Sequence, residues 1–414
     1  MSFARRFRSV FGDPILLFAV VGLSLFGVAM VYSAGQVDQP VRGLTELWRT
    51  QLLFLGVSLF ALLIVVRIQI RWLEWIAPVA YAAGVLALIA TVFIGTGAGT
   101  AASTKSWINL GFVRVQPAQF ADVATILMLG RVMGAWKEPP RSLFGLWQPL
   151  VIIAVPMLLV MAQPDLGTAM VFGGIALATL FWAGTPGAFI FLLISPLIAL
   201  FLSFRTLWFA VYMVALLGFL YVYRLRLREA VLVVFANLAA GTIAVPLWNS
   251  LAPYQRNRFL AFRDPYIDPR GAGYHHIQSR IAIGSGGLFG KGFTLGSQKR
   301  LAFLPEQHTD FIFAVVGEEL GFVGAVIVVL LFGAILWRLA RIAERAPDPF
   351  AGIAVFGIFG AWLTHILVNV GMTVGVMPIT GIPLPFLSYG GSFLLATYIA
   401  LAIAERVATE QGRI

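Results

Sequence analysis

The stretch FLPEQHTDF, residues 303–311, places Glu306, His308 and Asp310 where a long polar segment meets an apolar run. Asp310 immediately precedes Phe311, Ile312 and Phe313, so its carboxyl is expected at the boundary between water and an apolar phase. Partial desolvation there raises a carboxylate's pKa and makes it a better general base. The same position also suits a helix N-cap, for which Asp is a favoured residue. The residues alone leave both roles open.

The polar segment behind this motif, 251–310, carries Arg256, Arg258, Arg263, Arg270, Arg280, Lys291, Lys299 and Arg300 against only Asp264, Asp268, Glu306 and Asp310. One reading is plain tolerance of charge in a long loop. The other is an anion site, with Gly284, Gly286, Gly287, Gly290 and Gly292 letting backbone N–H groups approach a phosphate. Glycine alone is weak evidence, because loops are glycine-rich anyway. Beside so many cations it gains weight.

The elements that must hold these groups are membrane helices. The chain has 414 residues, 60% hydrophobic and only 11% charged, with mean hydropathy +0.90. Soluble domains carry about 25% charged residues. The even recurrence of apolar runs argues for a single polytopic bundle over 1–414, an all-α fold with about twelve spanning helices. Spans are expected near 14–34, 48–67, 75–95, 117–135, 147–163, 167–184, 186–203, 207–223, 229–250, 311–336, 350–376 and 383–405. The first run is too long for the apolar core of a signal peptide, so it reads as an uncleaved helix.

Charge sets an expected orientation. With the N-terminus cytoplasmic, the inner segments hold Arg5, Arg6, Arg8, Arg67, Arg71, Arg131, Lys137, Arg141, Arg224, Arg226, Arg228, Arg338, Arg341, Arg345, Arg406 and Arg413. The outer ones, the polar segment apart, hold Arg42, Arg49, Lys105, Arg114 and Arg205. This asymmetry places both termini in the cytoplasm and 251–310 outside. It also accounts for the net charge of +11 without a nucleic-acid partner. The absence of cysteine excludes disulfides, thiolate metal sites and a cysteine nucleophile.

The run GAGYHHIQSRIAIGSGGLFGKGFTLGSQKRLAFLPEQHTDFIFAVVGEELGF (271–322) closely resembles the SEDS family of cell-wall glycosyltransferases, the RodA and FtsW proteins. So do GMTVGVMPITGIPLPFLSYGGS (371–392), SWINLGFVRVQP (106–117) and QPDLGTA (163–169), which stand in family order and cover most of the chain. The resemblance implies a peptidoglycan polymerase of the bacterial inner membrane that joins lipid II into glycan strands. The family's catalytic aspartate falls on Asp310, implying general-base catalysis with inversion. Arg256, Arg258, Arg280, Lys291 and Lys299 are the candidates to meet the charge of the lipid diphosphate leaving group. A divalent cation, Mg2+ or Mn2+, would serve the same end, although no carboxylate cluster marks its site.

Asp165 is expected as a hydrogen-bonded structural acid, a substrate contact or a helix cap. Ser388 and Tyr389 offer hydroxyls in a turn fixed by Pro383 and Pro385, where packing is favoured over catalysis. Glu306 and His308 flank the base as substrate-side groups. Of Glu318 and Glu319, ionisable groups on a spanning helix, one, with Glu319 the candidate, is expected to face the groove. The family reads QPSE or QPAE with a lysine three positions on, whereas this chain has Gln119 and Asp122. An acid and a base have become an amide and an acid on one helix face. Ser106 stands where an arginine is common. The family core has ten helices, so 186–223 reads as an inserted pair, even in number and therefore neutral for the side of the loop.

Three functions compete on these residues: the polymerase, a lipid II flippase or transporter, and an inactive scaffold. Gly371, Met372 and Thr373 favour the elongation branch over the division-type one. The resemblance also implies a class B penicillin-binding protein as transpeptidase partner within the elongation machinery.

Overall fold

The computed structural model describes residues 11–38, 44–97, 105–111, 113–251, 253–271, 273–301 and 303–411. Arg5, Arg6, Arg8, Arg42 and Arg413, used in the charge comparison, lie outside the described residues.

Among the described residues, twelve long helices stand close to the expected positions. They are α1 (Pro14–Ala34), α2 (Leu47–Val65), α3 (Ile70–Ile94), α4 (Pro117–Gly134), α5 (Trp147–Met161), α6 (Leu166–Trp182), α7 (Gly187–Leu202), α8 (Thr206–Tyr223), α9 (Leu227–Ser250), then α13 (Ile312–Glu344), α14 (Pro349–Val374) and α15 (Gly391–Gln411). Among the described residues nine helices are long and apolar enough to cross a membrane, and α6 and α7 are apolar but shorter. The chain is an all-α, multi-pass membrane protein. A hairpin of two short strands, β1 (Ile108–Asn109) and β2 (Arg114–Val115), precedes α4.

Local signals start several helices. Pro14, Pro117 and Pro349 occupy first turns, where a missing N–H costs nothing. Asp13 and Asp348 cap α1 and α14 by accepting from the amides of Leu16 at 3.1 Å and Ala351 at 2.8 Å. The last helix begins at Gly391 rather than near 383. Ile382 and Leu384, each before a proline, are kept out of helix, and residues 385–387 fold into a turn.

Helices α14 and α15 form the centre, with 78% of the residues in the most apolar stretch of each buried, against 11% for α8. Helix α14 packs on α4, α6 and α13, and α15 packs on α2. Helices α7, α8 and α9 pack chiefly on one another at the side of the bundle. A polar knot stitches them together: Asn237 Nδ2 donates to Ser195 Oγ at 2.8 Å, and the Tyr212 hydroxyl donates to the Ser195 carbonyl at 3.0 Å. The segment 186–223 is therefore tied to α9 as well as to itself.

The polar segment contains further helices, α10 (Pro253–Arg263), α11 (Tyr274–Ser285) and α12 (Ser297–Arg300). Helix α11 lies against α13 and α14. The glycine run is not an anion cradle. The amides of Lys291 and Gly292 donate to the carbonyls of Glu318 and Glu319, both at 3.0 Å, while Phe322 and Val323 donate back to Gly287 and Leu288. Gly321, at φ 68°, breaks α13 at that level and frees these groups. A Cβ on Gly290 would strike the Glu319 carbonyl, so the approach itself requires glycine.

Candidate active site

Asp310 lies in the turn that enters α13, between the polar loop and the core. It does not cap the helix: the N-cap is Phe311, and no side chain bonds the first amides. What fixes Asp310 is its backbone. Asn369 on α14 donates from Nδ2 to the Asp310 carbonyl at 3.0 Å and to the Ile382 carbonyl at 2.8 Å. Ser388 donates from Oγ to the Thr309 carbonyl at 2.6 Å and accepts from the Leu384 amide at 2.8 Å. The Tyr389 amide donates to the His308 carbonyl at 2.9 Å, and the Tyr389 and His308 rings stand 5.7 Å apart. The turn bearing Asp310 is thus buckled onto the turn before α15. Gly381, at φ 75°, brings backbone against the carboxylate, because a Cβ there would sit 3.2 Å from Asp310 Oδ2.

Electrostatics single out the same residue. Burial pushes the Asp310 carboxyl up to about 7, and the charges of Glu306 and Asp165 add to the rise. The Arg258 guanidinium and a hydrogen bond from Thr309 pull the other way. His308 is held below the ordinary histidine range by burial, against the pull of Glu306, whose carboxylate is 3.9 Å away. His275 is likewise lowered by burial and by Arg258, and its ring stacks on Phe311 at 5.7 Å. Burial, Arg280 and His275 together bring His276 down to about 4. The site therefore presents a carboxyl poised near neutrality among neutral imidazoles.

Asp165 is the most heavily bonded acid nearby. It caps α6 through the Thr168 amide at 3.0 Å, and its Oδ2 accepts from the Thr168 hydroxyl at 2.9 Å, Gln116 Nε2 at 3.1 Å and Ser106 Oγ at 3.3 Å. Burial still raises its pKa, since these four donors only partly offset desolvation. Ser106 thus binds an acid instead of supplying the cation common at its position.

The expected phosphate contacts divide. Arg258 is close enough to act on Asp310 and His275. Arg256 is spent on the carbonyls ending α9, with Nη2 2.6 Å from Asn249 and Nε 2.9 Å from Leu251. Arg280, exposed on α11, donates to the Gly375 carbonyl at 2.9 Å. Lys291 pairs with Glu318 at 2.7 Å. Lys299 is 1% exposed, and its ammonium contacts Glu319 Oε1 at 2.5 Å, the Ser33 carbonyl at 2.7 Å and Ser33 Oγ. Lys299 and Glu319 therefore anchor the loop to α1 and do not face a groove. Neither Glu318 nor Glu319 is open to solvent, at 1% and 0%. Burial lowers the Lys299 pKa despite its hydrogen bond to Glu319.

Asn369, Gln116 and His275 were not among the residues singled out by sequence. Asn369 is an amide inside an apolar helix, which is itself a signal. His275 lies within the family-like run 271–322. A divalent metal finds no ready cage: among the described residues no three His, Asp or Glu side chains gather as a metal ion needs.

With this geometry in place, comparison with known proteins is informative. The family model described as cell cycle protein, covering FtsW, RodA and SpoVE, matches residues 14–214 and 205–413. The chain is 35% identical over 399 residues to the peptidoglycan glycosyltransferase MrdB of Escherichia coli K12, spanning 96% of this chain and 94% of that one. It is 34% identical over 429 residues to the peptidoglycan glycosyltransferase RodA of Treponema pallidum, spanning 96% and 98%. Its fold is similar, at TM-score 0.71 and 27% identity over 97% of this chain and 99% of the other, to a chain solved in a peptidoglycan synthase complex.

Proposed function

From the premise that the chain belongs to the FtsW, RodA and SpoVE family of cell cycle proteins, we propose that it is a peptidoglycan glycosyltransferase polymerising lipid II during cell elongation, with Asp310 as general base. The observation that supports this most is the Asp310 carboxyl, raised to about 7 and held by Asn369 and the 383–390 turn. A base poised near the working pH maximises both its deprotonated fraction and its pull on a proton.

In this reading the acceptor sugar hydroxyl gives its proton to Asp310 while its oxygen attacks the anomeric carbon of the donor from the face opposite the leaving group. The bond from that carbon to the lipid diphosphate breaks, and the electron pair leaves on the diphosphate oxygen. Arg258 is the cation best placed for that charge, with the exposed Arg280 a second contact. Glu306 and His308 set the field around the base. Asp165 positions, through Gln116 and Ser106, the floor of the site. Ser388 and Tyr389 hold the catalytic turn.

The reading places the loop on the outer face of the cytoplasmic membrane and both termini inside, following the charge asymmetry. Its partner class is a class B penicillin-binding protein that cross-links the product strand; the solved relative's setting in a synthase complex supports that pairing. The sequence GMTVGVMPITG supports the elongation branch over the division-type one.

Polymerisation of purified lipid II by the protein, alone and with its transpeptidase partner, tests the proposal. Asp310→Asn is expected to fold and insert yet lose activity by about 10²–10⁴-fold. Full activity in that variant would remove Asp310 from the mechanism. A flippase would instead move lipid II across vesicles with Asp310 neutralised, and a scaffold would assemble without making glycan.

A further inference from the structure

A small cavity of about 30 Å³ lies between α4, α14 and α15. Its polar lining consists of Gln119 and Asp122 on α4, His365 and the Trp362 indole on α14, and Thr397 on α15; Val123, Ile126 and Phe393 are among the apolar remainder. Gln119 and Asp122 are each 7% exposed.

Acceptors predominate among the polar atoms here, beside the second N–H of Gln119 Nε2 and the Trp362 indole N–H. Gln119 spends its amide N–H on Gln116 Oε1 at 2.7 Å, and its own Oε1 has no hydrogen-bond partner. Asp122 Oδ1 has none either. Thr397 gives its hydroxyl proton to the carbonyls of Phe393 and Leu394, both at 2.9 Å, so its oxygen remains an acceptor. His365 Nδ1 lies 3.0 Å from the Pro383 carbonyl, a contact that requires the proton on Nδ1 and leaves Nε2 of the neutral ring an acceptor. Four acceptors line the space, and no lysine or arginine does.

Buried acceptors without donors are costly, each losing the full desolvation of its group. Gln119 Oε1 and Asp122 Oδ1 are two such atoms, and a cation would relieve both while drawing on the Thr397 hydroxyl and His365 Nε2 as further ligands. Three of the four are hard oxygens of carboxylate, amide and hydroxyl type, which suit a hard ion. One carboxylate lines the cavity, so a single positive charge neutralises it and a divalent ion would leave buried charge uncompensated. A cavity larger than the roughly 10–15 Å³ needed by a water has room for such a guest.

We propose that this chain binds a monovalent cation, an alkali ion, in the cavity formed by Gln119, Asp122, His365 and Thr397. The bound charge faces Asp165, whose field reaches both Asp122 and Asp310. The hydrogen-bonded line Gln119, Gln116, Asp165 joins the ion to the outer site. The exchange of an acid and a base for Gln119 and Asp122 then replaces a covalently held cation with one taken from solution.

The test is thermal unfolding of the purified full-length protein in detergent, in sodium, potassium or N-methylglucamine chloride at equal ionic strength. It needs no enzymatic activity, so its failure is separate from that of the polymerase reading. The expected result is a midpoint a few degrees higher in one or both alkali salts than in N-methylglucamine, because a ligand that binds only the folded state stabilises it. Whichever alkali salt gives the larger rise identifies the ion. Asp122→Asn is expected to abolish the difference. Should that variant fail to fold, Gln119→Leu, which removes one orphan oxygen and keeps the carboxylate, is expected to shrink it and to raise the salt concentration for half effect. Equal midpoints in the three salts, or a difference that survives both substitutions, would overturn the site.

Discussion

At the scale of single residues, the site turns on how Asp310 is tuned. Glu306 raises its pKa and Arg258 lowers it, so the two neighbours make opposite predictions. In the proposed role of base Asp310 would act only when ionised, and activity should climb as pH rises through about 7. Glu306→Gln removes the raising charge and moves that limb to lower pH. Arg258→Ala removes the lowering charge and moves it higher, with an added loss in maximal rate from weaker charge stabilisation. Rate against pH on lipid II checks both; shifts in the same direction would refute the assignment. Stability carries the same sign. A raised acid contributes stability below its unfolded value that is lost as pH passes the folded value near 7. Asp310→Asn should therefore be more stable than the wild type above neutrality, by on the order of 1 kcal/mol once partial solvation is allowed for.

At the scale of elements, the short helix α12 is held by one buried pair, Lys299 with Glu319, together with Ser33 at the end of α1. Lys299→Met leaves Glu319 charged and unpaired at 0% exposure, and about 3–5 kcal/mol should be lost. Adding Glu319→Leu should restore much of that, because two apolar groups need no partner. Thermal midpoints of the two single variants and the double variant decide; additive losses would mean that the pair is not coupled. This arrangement shows where sequence was legible. Apolar runs located all twelve long helices, since burial in lipid demands continuous hydrophobicity that composition records directly. The FLPEQHTDF run pointed to Asp310, whose position at the polar boundary is also a matter of pattern. Lys299 and Glu319 looked like free cation and groove acid because pairing depends on where distant segments meet, and Ser33 is 266 residues away from Lys299. The glycine run misled for the same reason: its amides are filled by a helix break at Gly321 that no local signal announced.

At the scale of the whole molecule, burial divides the helices into a core and a flank. Helices α14 and α15 are enclosed on nearly every side, while α8 keeps Leu207, Val214 and Tyr221 at 72%, 71% and 85% exposed. Apolar surface of that extent in a spanning helix is suited to lipid chains, where it carries no hydrophobic penalty. The flank is held together instead by the Ser195, Tyr212 and Asn237 knot, an interhelical polar contact of the kind worth about 0.6–2 kcal/mol in membranes. A carbene-generating hydrophobic photolabel dissolved in proteoliposomes should therefore mark α8 heavily and α14 scarcely, read by peptide mass spectrometry. Asn237→Leu removes the acceptor for Tyr212 and the donor to Ser195, loosening α7 from α9, and labelling should then extend to the now-covered Leu192 and Val233. The turn bearing Asp310 rests on α14 and the turn before α15, not on the flank, so the same substitution should leave lipid II polymerisation within about twofold, less than 1 kcal/mol on the barrier. Heavy loss of activity with unchanged labelling would show that α7–α9 serve the site directly, and protection of α8 in the wild type would show that this face is already covered by protein.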